Sequence, residues 1–210
     1  MKLYILRHGQ TDMNDQKRIQ GTIDAELSEV GFQQAREIRE ILLENHIEFD
    51  KVYSSPLRRA RYTCETVTGL APGEYEVDDR LQELCFGAVQ GIGYDDLPPE
   101  QRAFFRDPAN YVPDPAGETF DEMFARIDSF FEDMKRVGGA EDRILVATHG
   151  AVIHGMLLML ENKDLKDFWD VDVHNCDVLV FELRDGRFHV TDEKYEVPHR
   201  IVFDYLGGER

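Results

Sequence analysis

The sequence predicts an α/β protein in which helices flank a central β-sheet. Short apolar segments with β character recur along the chain, and stretches with helical periodicity lie between them. A length of 210 residues and a hydrophobic content of 42% are enough for one sizeable core, so we expect a single domain over residues 1–210. The predicted strands are residues 2–6, 51–54, 143–147 and 178–183.

Local signals define the helices between these strands. Ser28 can cap the first helix, and residues 58–68 form the second after Pro56. Thr119 and Glu122 have the spacing of a capping box at the start of the third helix. The apolar residues of this third helix fall on one side, which is typical of a face packed on the core.

Residues 86–117 break this alternation. They contain several prolines and aromatic residues without a regular period, which is typical of an insertion or cap. The aromatic side chains allow two interpretations that the sequence leaves equally open: they line a substrate pocket, or they only pack the insertion onto the domain. These side chains are Tyr94, Phe104, Phe105 and Tyr111.

The charge balance narrows the possible partners. Lys and Arg number 24, Asp and Glu number 42, and the formal net charge is −18. Such a surface disfavours nucleic acid and anionic membranes, so an anion has to be bound in a local cationic pocket. We find no apolar run of transmembrane length and no secretory signal. Cys64, Cys85 and Cys176 do not indicate a disulfide framework, and we expect a cytoplasmic protein.

Polar residues follow several predicted strands directly. Arg7 and His8 follow the first strand, Arg59 lies in the first turn of the helix after the second, and His149 follows residues 143–147. In a parallel sheet the carboxyl ends of the strands share one edge, where ligands of open α/β sheets bind. We therefore expect these side chains to meet in an anion site that suits a phosphoryl group.

Three blocks of sequence resemble the histidine phosphatase superfamily, the phosphoglycerate mutase-like proteins. They are Leu-Arg-His-Gly-Gln-Thr at residues 6–11, Ser-Pro-Leu-Arg-Arg-Ala at residues 55–60 and Thr-His-Gly at residues 148–150. The similarity extends over nearly the whole chain, from residue 2 to about residue 183. It implies a three-layer α/β/α sandwich with a mostly parallel central sheet, helices on both faces and a cap insertion around residues 86–118.

The resemblance also implies roles for individual residues. His8 is expected to be the nucleophile that attacks phosphorus and forms a phosphohistidine. Fixed positive charge and hydrogen bonds would hold the phosphoryl oxygens, and a nearby loop would line the substrate side. The expected oxygen-binding groups are Arg7, Arg59, His149, Asn14 and the backbone of Gly150, and the expected loop residues are Gln20 and Gly21.

Two assignments require a choice between candidates. The family pattern Ser-Pro-Leu-x-Arg-Ala selects Arg59 for the pocket and leaves Arg58 on the surface. For the general acid we choose Glu83, which matches the family's Leu-x-Glu block, and Glu118 is the next candidate. Residues 81–84, which include Glu83, are predicted as a further short strand before the site.

The histidine spacing predicts no metal site. His149 and His154 are five residues apart in sequence and do not share a helical face, and the sequence contains no zinc-hydrolase motif. We expect His154 to be a packed helix residue. The enzyme is therefore expected to be metal-independent, and we predict no cofactor.

The reaction has more than one candidate. Cofactor-dependent mutases of this family carry a longer insertion with extra basic residues, whereas this one contains only Arg102 and Arg106 between Gly91 and Gly117. That difference favours a phosphomonoester hydrolase acting on a small phosphorylated metabolite. Phosphoglycerate mutase-type transfer is the alternative, and a non-catalytic phosphoryl-binding protein is the third. The sequence leaves the physiological substrate, the pathway and the oligomeric state open.

Overall fold

The sheet organises the chain, as seen in a computed structural model that describes residues 1–198. Within these residues six strands pair in the order β3-β2-β4-β1-β5-β6. The first four of that order are parallel, and β5 runs antiparallel to β1 and to β6. The strands are β1 Lys2–Arg7, β2 Lys51–Ser54, β3 Glu76–Val77, β4 Arg143–Thr148, β5 Val178–Arg184 and β6 Arg187–Tyr195.

Helices cover both faces of this sheet, and the predicted three-layer sandwich is confirmed. Alternate residues of β1 point to opposite faces. The helices are α1 Asp12–Asp15, α2 Glu29–Glu44, α3 Arg58–Thr68, α4 Pro99–Arg106, α5 Phe120–Val137 and α6 Gly150–Glu161. Leu3 and Ile5 belong to the apolar cluster with α5 and α6, whereas Tyr4 and Leu6 belong to the cluster with α2 and α3.

The predicted helix starts are confirmed by the caps that form them. The Ser28 side chain accepts a hydrogen bond from the amide of Gly31 at the start of α2. Thr119 and Glu122 form a reciprocal capping box at the start of α5. None of the helices within residues 1–198 has the length and apolar character that a membrane span requires.

One predicted strand is wrong and two strands were missed. Residues 81–84 form no strand: a 3-10 turn ends at Leu81, and Leu81 and Leu84 are both buried as anchors of an irregular segment. The two missed strands, β3 and β6, lie at the edges of the sheet. Both residues of β3 are exposed, and β6 buries little apolar surface, so neither shows a clear hydrophobic alternation.

The insertion packs onto the sandwich through its aromatic residues. Phe104 of α4 is buried, and its ring centroid lies 4.8 Å from that of Phe86, 5.3 Å from that of Trp169 and 5.7 Å from that of Phe120. Edge and stacked contacts of this kind stabilise a core. Tyr94 and Tyr111 are also buried, and Phe105 packs against the same cluster. These contacts favour the packing interpretation of the aromatic residues over a substrate wall.

Candidate active site

The candidate site lies at the edge where β1, β4 and β2 end. These strands are parallel neighbours, and Arg7 at the end of β1 is directly opposite Thr148 at the end of β4. His8 follows β1, and His149 follows β4 as the N-cap residue of α6. Arg59 lies in the first turn of α3, shortly after β2. The topology therefore brings together the residues that the sequence analysis placed at this edge.

His8 is buried, and its contacts define the state of its ring. Its Nδ1 lies 2.7 Å from the carbonyl oxygen of Gly9. A carbonyl can only accept, so Nδ1 carries the hydrogen and Nε2 keeps its lone pair. Burial, followed by the positive charges of Arg59 and Arg7, holds the pKa of His8 well below its usual value. His8 is therefore a neutral imidazole with Nε2 available as a nucleophile.

Arg59 is fully buried and held by backbone oxygens. Its Nη1 donates to the carbonyl of Ile23 and its Nη2 donates to the carbonyl of Gly21, both at 2.7 Å. Burial lowers its pKa to about 10, so the guanidinium remains charged at neutral pH. Arg58 has the opposite environment: it is on the surface, where its Nε donates to Asp24 Oδ2 at 2.9 Å. This is the arrangement that the sequence pattern predicted.

Hydrogen-bond donors around His8 are left for an anion. Arg7 Nη1 donates to the carbonyl of Val173, and a Cβ on Gly150 would lie 3.6 Å from the Arg7 Cζ, so this guanidinium lies against the start of α6. Arg7 Nε, Arg59 Nε and His149 Nδ1 are buried and have no hydrogen-bond partner within residues 1–198. The two arginine nitrogens are donors, and the oxygens of a phosphoryl group are acceptors that could satisfy them.

His149 is fully buried beside His8. The two ring centroids are 5.1 Å apart, with the rings tilted by 55°. Burial and the nearby Arg59 charge lower the pKa of His149 well below its usual value. Its Nε2 lies 2.7 Å from the Oγ of Ser55. This imidazole is therefore also neutral, and a hydrogen bond to Ser55 fixes it to the segment that follows β2.

Glu83 reaches the same edge although it is not on a strand. Its Oε2 accepts a hydrogen bond from the backbone amide of Ala151 in the first turn of α6, at 3.3 Å. Glu118, the other candidate acid, is paired with Arg126 by contacts of 2.6 and 2.9 Å. A two-contact pair with arginine stabilises the ionised carboxylate. Glu83 makes no such arginine pair within residues 1–198, and its Oε1 accepts from the backbone amide of Leu84 at 3.0 Å. Of the two carboxyl groups, Glu83 is therefore the one that contacts the start of α6 beside His149.

The remaining predicted residues contact Thr11 or Arg59, or lie at the start of α6. Asn14 is buried in α1, and its Oδ1 accepts from the backbone amide of Thr11 at 3.1 Å, which leaves its amide nitrogen as the donating end. Gln20 is also fixed to Thr11, with Oε1 2.9 Å from the Thr11 Oγ1. Gly21 supplies a carbonyl to Arg59, and Gly150 is the first residue of α6. A backbone amide in the first turn of a helix has no intrahelical acceptor and is suited to bind an anion.

The structure adds residues to which the sequence analysis gave no role. Asn175 is buried and its Nδ2 donates to the carbonyl of His8 at 2.8 Å. Ser55 contacts His149, and Arg126 holds Glu118. Asn175 precedes β5, and since β5 is antiparallel to β1, its first residue lies at the catalytic edge. That position could have been found only with the strand direction known.

No group of three or more His, Cys, Asp or Glu side chains suited to hold a metal ion occurs in the part of the chain that the structure describes. The site combines a neutral imidazole with an unprotonated Nε2, two buried or half-buried arginines and one carboxyl group that has no direct arginine pair within residues 1–198. In an open α/β sheet, this combination defines an enzyme that handles phosphoryl groups.

The chain belongs to the histidine phosphatase superfamily (branch 1), whose family profile matches residues 3–194. It is 32% identical over 212 residues to a metal-independent phosphoserine phosphatase of Arabidopsis thaliana, covering 98% of this chain and 85% of that one. It is 29% identical over 194 residues to a 2,3-bisphosphoglycerate-dependent phosphoglycerate mutase of Methylorubrum extorquens, covering 87% and 89%.

A solved structure is similar over the same extent. A mutant of phosphoserine phosphatase from Entamoeba histolytica, in complex with phosphoserine, has a TM-score of 0.78 and 27% identity. The match covers 91% of this chain and 95% of that one. The predicted family and the predicted phosphatase class are confirmed by these similarities.

Proposed function

We propose that this enzyme hydrolyses small phosphomonoesters through a phosphohistidine formed on His8. The observation that carries the proposal is the neutral His8 ring, with Nε2 unprotonated, among buried nitrogens of Arg7, Arg59 and His149 that have no partner within residues 1–198. A nucleophile that needs no deprotonation, surrounded by fixed donors, is suited to attack phosphorus.

The reaction takes place in two displacements. The Nε2 lone pair of His8 forms an N–P bond while the ester P–O bond breaks, and Glu83 gives its proton to the leaving oxygen. Water then attacks phosphorus, Glu83 takes a proton from it, and the N–P bond breaks to release phosphate and neutral His8. Arg7, Arg59 and His149 stabilise the charge on the equatorial oxygens in both steps.

Hydrolysis is favoured over mutase transfer by the cations of the insertion. Arg102 Nε donates to the carbonyl of Leu97 at 3.0 Å, and Arg106 Nε lies 3.2 Å from the hydroxyl of Tyr94. Both guanidinium groups are therefore engaged by the insertion itself. A mutase that holds a bisphosphate needs cations for the second phosphate, so this insertion supports a monophosphate substrate.

Phosphoserine is our first candidate substrate, because the names of two similar proteins specify it. We propose that residues 1–210 act as one catalytic domain, which the family match over residues 3–194 supports. Absence of a required metal or cofactor, a cytoplasmic location and the lack of a nucleic-acid or membrane partner are predictions from the sequence and are part of the same proposal.

The test combines turnover with trapping of the intermediate. The protein is incubated with p-nitrophenyl phosphate and with phosphoserine in the presence of a chelator, and an acid-labile phosphoryl label is sought after quenching. We expect turnover and label in the wild type and in His189→Ala, which alters an exposed histidine of β6. Both should be lost in His8→Ala.

Other outcomes would contradict the proposal. Interconversion of 3- and 2-phosphoglycerate at a rate far above hydrolysis would assign the mutase reaction. Phosphate binding without turnover or label would assign a non-catalytic protein. Turnover that survives in His8→Ala would rule out His8 as the nucleophile.

A further inference from the structure

The buried hydroxyl group of Ser55 contacts the imidazole of His149. Ser55 follows β2, is fully buried, and its Oγ lies 2.7 Å from Nε2 of His149. The same Oγ accepts a hydrogen bond from the backbone amide of Leu57 at 3.3 Å. Since the hydroxyl carries one hydrogen, the position of that hydrogen decides which nitrogen of His149 is protonated.

Two arrangements are possible, and they leave different groups unsatisfied. If His149 Nε2–H donates to Ser55, the buried hydroxyl hydrogen of Ser55 has no acceptor within residues 1–198, and Nδ1 holds a bare lone pair. If Ser55 donates to Nε2, its hydrogen is satisfied and the hydrogen of the imidazole lies on Nδ1. The first arrangement leaves two buried polar groups unsatisfied and the second leaves one, the Nδ1 hydrogen, so the second is favoured.

We infer that Ser55 is a positioning residue that holds His149 in the Nδ1–H tautomer, so that Nδ1 donates a hydrogen bond to the phosphoryl group. The use of that donor in catalysis rests on the function proposed above. A lone pair at Nδ1 would instead repel the phosphoryl oxygens, which are acceptors.

The neutral state of His149 makes the tautomer important. Burial and the charges of Arg59 and Arg7 keep its pKa low, so it does not carry hydrogens on both nitrogens at neutral pH. His8 and His149 are then neutral rings used in opposite ways. The hydrogen of His8 is on Nδ1 because Gly9 accepts it, which leaves Nε2 to attack, whereas Nδ1 of His149 is the donor.

The test measures the tautomer and the kinetics separately. The ¹⁵N shifts of the His149 ring, identified by their loss in His149→Gln, are recorded for the free protein at neutral pH. We expect a protonated Nδ1 and an unprotonated Nε2 in the wild type. Ser55→Ala should shift hydrogen toward Nε2 and lower kcat and kcat/KM by about tenfold or more, since a donor used in the transition state is lost.

Ser54→Ala is the matched control, because Ser54 is the adjacent buried serine and its Oγ donates to a backbone carbonyl, that of Ser55. It should keep the wild-type tautomer and rate. A wild-type His149 protonated on Nε2 overturns the inference, even if Ser55→Ala does not fold. An unchanged tautomer and rate in Ser55→Ala overturns it as well. Since the shifts are read without substrate, they remain decisive if the wild type proves inactive as a phosphatase.

Discussion

The two imidazoles of the site lie beside permanent positive charge, and this charge helps to keep both rings neutral. Burial is the largest contribution to the low pKa of His8, and Arg59 and Arg7 add to it. The arginines therefore serve twice. In the proposed reaction, they keep His8 unprotonated before it attacks phosphorus, and they stabilise the phosphoryl charge during the transfer.

Arg59 and Arg58 give a direct comparison between neighbours. Arg59→Ala removes a buried cation from the phosphoryl oxygens and should lower kcat/KM by about 10²-fold or more. Arg58→Ala removes exposed ion pairs with Asp24 and Glu26, so its kcat/KM should remain close to that of the wild type. Steady-state kinetics of the two variants with one substrate check the prediction. A larger loss in Arg58→Ala would mean that the wrong arginine has been assigned.

At the level of single residues, prediction from sequence succeeded where a polar side chain follows a parallel strand. His8, Arg59 and His149 were located in this way, since the strand direction fixes the edge that they reach. Asn175 escaped prediction because it precedes a strand, and its place depends on β5 being antiparallel. Ser55 is the first residue of the Ser-Pro-Leu-Arg-Arg-Ala block. Its hydrogen bond to His149 could not be predicted, because the two residues are far apart in sequence.

The loop at residues 20–23 is the element that supports Arg59. The carbonyl oxygens of Gly21 and Ile23 accept hydrogen bonds from the two terminal nitrogens of the Arg59 guanidinium. The loop is fixed in turn by Gln90, whose Oε1 accepts from the backbone amide of Thr22 at 2.8 Å. Gln90 of the insertion therefore supports the Arg59 guanidinium indirectly, by fixing the loop whose carbonyl oxygens hold it.

Gly21→Ala tests that support. Gly21 has φ +50°, and a Cβ there would lie 2.0 Å from Gln90 Oε1, so either the loop or the Gln90 side chain that holds it at Thr22 has to move. Displacing the carbonyl that holds Arg59 should lower kcat/KM by about 10²-fold. The matched control is Gly186→Ala, which also has a positive φ of +76° but meets no atom within 4 Å. Steady-state kinetics of the two variants should separate them, and equal activity would contradict the role of the loop.

Elements with local signals were predictable, whereas elements fixed by distant partners were not. Capping residues defined the starts of α2 and α5, and the bounds of β2 and α3 agree with the prediction. Residues 81–84 have the apolar character of a strand, but they bury Leu81 and Leu84 without pairing to the sheet. Their conformation depends on the core that receives them, which the local sequence does not specify.

At the scale of the whole molecule, buried histidines make folding sensitive to acid. Burial, and secondarily the charge of Arg7, lowers the pKa of His154 to about 3, and the pKa values of His8 and His149 are also lowered. The unfolded chain binds protons at these sites below about pH 6.5, while the folded chain does not. Their contribution to stability is therefore present above that pH and is lost progressively as the pH falls below it.

His154→Phe tests this linkage away from the reacting atoms. The phenyl ring retains packing against Phe168 and Trp169 but cannot titrate. Between about pH 7.5 and about pH 5, the variant should lose about 2 kcal/mol less unfolding free energy than the wild type. Urea unfolding at both pH values measures the difference, with His189→Phe as the control. An identical loss in His154→Phe and the wild type would contradict the lowered pKa of His154.

The position of the phosphoryl group in the trapped intermediate shows whether Nε2 of His8 is the nucleophile. The enzyme is quenched during turnover of p-nitrophenyl phosphate, digested at alkaline pH, and analysed by mass spectrometry and ³¹P NMR. We expect one phosphorylated peptide, containing His8, with phosphorus on Nε2. Phosphorus on Nδ1, on another side chain, or in an acid-stable ester would contradict this expectation.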